Sequence, residues 1–237
     1  MTSTRVRPHV ARVLERTHAV LLPFDGTLCD LFAGVDTAAI AERIRSGLFA
    51  AGHRMTLLTT MVTDPLWMLA YAHDVGRDHG ATAEGIMRET ETAAAVTAVP
   101  TPGIHEVLRA CQAGGRPVAV VGGICSAAME THLETHGLRH LVGPVLGREQ
   151  LRMTESRPYV GLVRQAVKAM GLRPPACTLV SRSVGGMHTA GDAGLQAIGV
   201  VSEHGRRKHL ATGGSVVVSS LPRLAGALLA VPMTTAH

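Results

Sequence analysis

The side chains best suited to chemistry in this sequence stand at the ends of short apolar runs. Cys125 follows Gly122-Gly123 at the start of a helical pattern, where backbone N–H groups favour anions and could lower a thiol pKa. His188 falls in a later helical turn and would serve such a thiol as base, although a buried, inert cysteine and a helix-face histidine are the commoner findings. His132, His136 and His140 keep an i, i+4 spacing interrupted by Gly137, open to a zinc pair or to an exposed amphipathic face. Cys29, Cys111, Cys125 and Cys177 include no CxxC pair, which argues against a structural zinc site or a disulfide framework and for free thiols. Trp67, Met68, Tyr71 and His73, with Met55, Met61 and Met87, form the densest cluster of large and soft side chains. The cluster reads as core or seam of a helical unit, and an apolar pocket there would suit a hydrophobic or aromatic ligand.

The elements that must position these groups alternate. Residues 19–24 read as a buried strand that ends in the turn Asp25-Gly26-Thr27. Residues 30–100 carry Ala, Leu, Met and Ile at three-to-four spacing with no convincing strand, and Pro100 and Pro102-Gly103 punctuate the exit. Helices at 104–113, 126–136 and 159–170, around His188, near 206–211 and from 221 then alternate with strands at 117–121, 141–146, 177–180, 196–201 and 215–219. Short apolar strands separated by helices predict an α/β fold. Its Rossmann-like parallel sheet core spans residues 1–29 and 101–237, with an inserted helical cap, residues 30–100, after the first strand. In such sheets ligands sit outside the carboxyl ends of the strands.

The composition of the 237 residues, 46% apolar and 17% charged, excludes a disordered chain and permits a sizeable core. Lys and Arg number 23 against 18 Asp and Glu, a net charge of +5, and Lys168 and Lys208 are the only lysines. Arginine-rich basicity can mark anion recognition, but a bias towards arginine codons is the favoured explanation. One Trp, two Tyr and three Phe are too few aromatics to interleave with a basic stripe, so no nucleic-acid partner is expected. No apolar run approaches the roughly 18 residues of a membrane span. The run at 19–24 is too short for a secretory signal, so no membrane partner and a cytoplasmic location are expected.

Pro23-Phe24-Asp25-Gly26-Thr27 at the end of the first strand resembles the Asp-x-Asp-Gly-Thr motif of the haloacid dehalogenase-like (HAD) superfamily. The resemblance covers nearly the whole chain and implies a helical cap of the C1 type. It also implies a phosphatase site: one Asp attacks phosphorus, a second protonates the leaving group, a hydroxyl residue holds phosphoryl oxygens, a Lys balances charge, and acidic residues hold Mg²⁺. On that pattern Pro23 takes the place of the nucleophile and Asp25 that of the acid/base. Gly122-Gly123 replaces the hydroxyl residue, Arg157-Pro158 the Lys-Pro pair, and Ser181-Arg182 with Gly186 the metal-binding acids.

Pro23 cannot form an aspartyl-phosphate, and losing a covalent nucleophile costs on the order of 10⁴–10⁶ in rate. Metal-dependent phosphatase chemistry and a cofactor are therefore not expected. Dehalogenation needs the same first Asp, and the phosphonatase branch needs a cap lysine that residues 30–100 lack. The leading expectation is a degenerate, catalytically silent HAD-like protein that binds a small anionic or aromatic metabolite, or a partner. Its ligand would meet Gly122, Gly123, Arg157, Arg182, Trp67 and Tyr71, with Arg182 in the vacated cation position and paired with Asp25. One alternative is an enzyme of metal-independent, non-phosphatase chemistry using Asp25, Cys125 or His188. A second is a HAD-family hydrolase.

Overall fold

The computed structural model describes residues 6–151, 157–201, 210–211 and 216–234. The chain divides into two compact units, Met1–Asp30 with Val99–His237 and Leu31–Ala98. In the first, runs of Val, Leu and Ile form β1 (Ala19–Pro23), β2 (Val118–Val121), β3 (Val145–Leu146), β4 (Cys177–Ser181), β5 (Gln196–Val200) and β6 (Val216–Val218). All pair in parallel in the order β3-β2-β1-β4-β5-β6, so β1 lies in the interior of the sheet. Around them stand α1 (Pro8–Glu15), α6 (Ile104–Ala113), α7 (Ser126–Thr135), α8 (Pro158–Ala169), α9 (Val184–Ala193) and α10 (Leu221–Ala230). One face of the sheet buries Leu21, Ala119 and Leu179 against Val163, Val167 and Ala190 of α8 and α9. Strands apolar on both faces are what a parallel sheet covered by helices requires.

The weak strand expected at 141–146 shrinks to the two residues of β3, after a 3-10 turn at Arg139–Leu141. Gly143-Pro144 explains the loss, because proline has no N–H for the ladder. The helix expected near 206–211 lies largely outside the described residues, of which only Leu210 and Ala211 belong to it. Pro23 is tolerated in an interior strand because it is the last residue of β1, and the ladder resumes with Phe24 N–H donating to Val121 O at 2.8 Å.

The second unit is helical among its described residues: α2 (Thr37–Ala50), α3 (Leu57–Thr60), α4 (Pro65–Val75) and α5 (Arg77–Thr97). Asp36 and Asp64 cap α2 and α4 by accepting from the N–H groups of Ala38 and Ala39 and of Leu66 and Trp67. Ile40, Ile44, Leu48, Met68, Leu69 and Met87 make its core. Met55 and Tyr71 pack against that core, whereas Met61 and Trp67 are exposed, so the predicted cluster is only partly interior. Among the described residues no helix is long and apolar enough to cross a membrane.

At the amino edge of the sheet Arg116 is buried at 2% exposure. Its guanidinium donates to the carbonyls of Thr17 (3.1 Å), Leu14 (3.4 Å), Leu228 (3.2 Å) and Val231 (2.6 Å), the frayed ends of α1 and α10. Burial lowers its pKa, and neighbouring Cys111, itself pushed up to about 12 by burial, opposes that shift. Arg116→Met strands several buried carbonyls at once and is expected to cost about 3 kcal/mol, or roughly 6–12 °C in Tm. Urea and thermal unfolding check this, with exposed Arg109→Met on α6 as a control expected to stay within about 0.5 kcal/mol of the parent.

Candidate functional site

The carboxyl edge of the sheet carries a cavity of about 340 Å³. The register Pro23↔Val121 brings the turn after β1 beside the turn after β2, so Asp25 and Gly122-Gly123 both reach its rim. Gly26, at φ +72°, turns the chain back on itself: its N–H donates to Cys29 O at 2.7 Å, and the N–H groups of Leu28 and Cys29 donate to Phe24 O. Thr27 is buried, and its Oγ1 accepts from the Arg182 N–H at 3.4 Å, which ties this turn to the end of β4. Asp25 itself is exposed and lines the cavity.

Tyr159, near the start of α8, closes one side. A Cβ built on Gly123 would lie 2.4 Å from the Tyr159 hydroxyl, so glycine at 123 is what lets the phenol approach. Ser183 and Thr189 add hydroxyls from the start and middle of α9. Ser183 caps α9 by accepting from the Gly186 N–H at 3.0 Å, and its own N–H donates to Ser181 Oγ at 3.1 Å. Phe24, Val121, Leu162, Val163 and Leu179 supply apolar wall.

The candidate residues from the sequence do not all meet here. Asp25, Gly122 and Gly123 do, but the lining residues include none of Cys125, Arg157, Arg182, His188, Trp67 or Tyr71. Cys125 is fully buried at the N-cap of α7, out of reach of a substrate. His188 is on the exposed face of α9. Arg157 is exposed and pairs with Asp192 of α9 at 2.6 Å, a surface ion pair that turns its charge outward. Arg182 directs Nη1 to the Gly26 carbonyl at 3.5 Å, a main-chain contact instead of the carboxylate pair expected. Trp67 and Tyr71 belong to the helical unit, where their rings stack 5.5 Å apart and the Tyr71 hydroxyl meets His53 Nε2 at 2.8 Å.

The divalent ion implied by the resemblance does not find its donors. Asp25 is accompanied by Pro23 and Arg182 where further carboxylates would be needed, and the described residues hold no group of three His, Cys, Asp or Glu suited to a metal. His132 is buried with its ring edge-on to Phe24 at 5.4 Å, a core histidine instead of a zinc ligand. All four cysteines are buried and none forms a disulfide. Cys29 is pushed up to about 12 by burial and by the charges of Asp25 and Asp30, so no thiolate forms beside the turn at neutral pH.

Sequence reasoning missed Glu149. Its carboxylate accepts from the Ser126 N–H (3.0 and 3.3 Å) and from Ser126 Oγ (3.0 Å), occupying the start of α7 that was read as an anion site. Arg148 beside it donates to Gly123 O at 2.8 Å. Burial acts to raise the Glu149 pKa, but the hydrogen bonds from Ser126 and the charge of Arg148 hold it below the ordinary glutamate value. A lowered folded-state value stabilises the protein above the ordinary pKa of about 4.3 and loses that stability as the pH falls through the folded value. Glu149→Ala should therefore cost about 1 kcal/mol at pH 7, as for a lost helix cap. The gap between parent and variant should close in acid, which urea unfolding at both pH values checks.

By sequence the chain matches no protein-family profile and no curated protein. By structure it is similar to a HAD family hydrolase from Deinococcus radiodurans R1 solved with phosphate and sodium: 23% identity, 92% of this chain and 99% of that one, TM-score 0.56. CbbY from Rhodobacter sphaeroides, solved with phosphate, gives 18% identity, 89% and 99% coverage, and TM-score 0.61. A HAD-superfamily hydrolase from Ehrlichia chaffeensis gives 13% identity, 91% and 97% coverage, and TM-score 0.55. These neighbours overturn the expectation of a catalytically silent binding protein, for two of the three are named as hydrolases. The parallel sheet with β1 inside it, the helical unit between β1 and α6, and this similarity over about nine-tenths of the chain identify the fold as haloacid dehalogenase-like.

Proposed function

We propose that the protein is a hydrolase that works at the carboxyl edge of its sheet, with Asp25 as general acid/base and water as nucleophile. The observation that carries the reading is Asp25 on the rim of a formed cavity at the end of an interior strand, in a fold two of whose similar structures are named as hydrolases. Pro23 brings no nucleophile to the cavity, so the attacking group is water. Asp25 takes a proton as water attacks and returns it to the leaving group, which regenerates the carboxylate. The hydroxyls of Tyr159, Ser183 and Thr189 line the cavity beside Asp25 and supply its polar surface.

The reading is metal-independent because the donor set around Asp25 does not suit a divalent ion. The partner is a small molecule, as a cavity near the lower end of the roughly 300–1,000 Å³ typical of ligand sites suggests. A cytoplasmic setting accords with four cysteines that form no disulfide. Hydrolysis of a panel of chromogenic esters should persist in EDTA. Asp25→Asn should lower kcat by about 10²–10⁴ with the fold intact. Turnover that is equal in parent and Asp25→Asn, after matched purification, would sink the assignment.

A further inference from the structure

We propose that the helical unit carries the interface of a two-fold homodimer, an apolar ridge built from α3 and the first turn of α4. The ridge lies within the unit Leu31–Ala98, and its role is independent of the chemistry at the sheet.

The way α3 is held turns its apolar side chains outward. Thr56 caps the helix by accepting from the Thr59 N–H at 3.3 Å, and the two threonine hydroxyls meet at 2.8 Å. Thr59 is buried, whereas Leu57, Leu58 and Met61 are 78%, 79% and 71% exposed. A surface helix ordinarily buries its apolar face and shows its polar one, so α3 is inverted with respect to its own protomer. Leu66 and Trp67 follow at the start of α4, both half-exposed. Arg45 of α2 donates to Val62 O beside Met61, and Phe49, one turn further along that face of α2, is 72% exposed.

The size of the ridge is that of an interface. Six large apolar side chains so placed present on the order of 600 Å², the upper end of what a monomer shows and most of the roughly 800 Å² each partner contributes to a stable complex. Trp67 is also held in place before any partner arrives. Its ring stacks on Tyr71 at 5.5 Å and 10° from parallel, and the Tyr71 hydroxyl meets His53 Nε2 at 2.8 Å. A rigid, half-exposed tryptophan costs little ordering on association, as suits an interface anchor.

The charges around the ridge select its occupant. Between Phe49 and Trp67 only Arg54 and Asp64 carry a formal charge, and these exposed residues stand on opposite sides of α3 in the chain. A segment that lies on a membrane carries a basic rim, and this one has one charge of each sign. A two-fold axis near the middle of α3 runs the two copies of the helix antiparallel. Arg54 of each protomer then meets Asp64 of the partner subunit, and Leu58, near the midpoint between the two charges, approaches its own copy. The surface is thus complementary to itself.

Sedimentation velocity on the full chain from about 1 to 100 μM measures the state. The parent is expected to be a dimer at the upper end of this range. Leu58→Glu combined with Met61→Glu should weaken association by about 100-fold or more and keep the far-UV circular dichroism of the parent. Arg54→Glu should weaken it about tenfold, because it faces Asp64 with a charge of the same sign. Leu58→Cys should give a disulfide-linked dimer on mild oxidation, and Ala81→Cys, exposed on α5, should not; the native cysteines are buried and do not interfere. A parent that is monomeric throughout, or a dimer that survives the double glutamate variant, overturns the interface. Species larger than a dimer that grow with concentration overturn the two-fold closure. Arg54→Glu without effect, or cross-linking at position 58 no greater than at 81, overturns the antiparallel arrangement. Monomers that co-sediment with phosphatidylcholine vesicles, and lose this in the double variant, overturn a second copy as the occupant.

Discussion

The guanidinium of Arg116 holds the amino edge of the sheet together, and the carboxyl edge inherits its geometry from that edge. A helix end leaves carbonyls without intrahelical partners, and its dipole makes them partly negative. Arg116 gathers such carbonyls from α1 and α10 and also takes that of Thr17, two residues before β1 begins. Standing itself two residues before β2, it fixes the starting points of β1 and β2 relative to each other. The register Val20↔Val118 then runs up to Pro23↔Val121 without a bulge. Asp25 and Gly122-Gly123 consequently emerge side by side. Gly114 belongs to the same arrangement, for a Cβ there would lie 2.4 Å from Arg116 Nη1.

The opposite edge solves the complementary problem with groups of opposite character. Helix starts expose N–H groups, and here Glu149 and Ser183 satisfy them from within the chain. Each edge of the sheet therefore closes its own helix ends, one with a buried cation and the other with a carboxylate and a hydroxyl. The consequence for function is that fewer fixed dipoles remain to draw an anion into the cavity. Asp25 is left as the formal charge at the rim among described lining residues, in a setting of apolar wall and hydroxyls.

Local pattern made the strands legible and long-range pairing made the site opaque. β1, β2, β4 and β5 could be read because each is a short apolar run bounded by Gly, Pro or polar residues, a signal contained within a few positions. β3 was overdrawn because Val142 and Val145 look alike in a propensity reading, and only the lack of an N–H on Pro144 separates them. Arg157 was placed in the pocket from its order along the chain, yet its partner Asp192 is 35 residues away and nothing local announces it. The same holds for Glu149, which closes a helix that starts 23 residues earlier. Ser183 was legible in principle, since Ser three residues before Gly186 at the head of a helix is a capping pattern. Arg116 was hidden in plain view: Gly114-Gly115-Arg116-Pro117 has the composition of an exposed turn, and burial of a lone arginine is decided by the helix ends that converge on it.

Pro23 ties the local backbone to the choice of nucleophile. A strand ending in proline keeps the Phe24 ladder bond and offers no nucleophile, while the surrounding cavity offers hydroxyls and no cation among its described lining residues. Under the proposed reading these are one adaptation. With no covalent nucleophile at the strand end, a carboxylate on the rim of the cavity is suited to activating water directly, without a covalent intermediate.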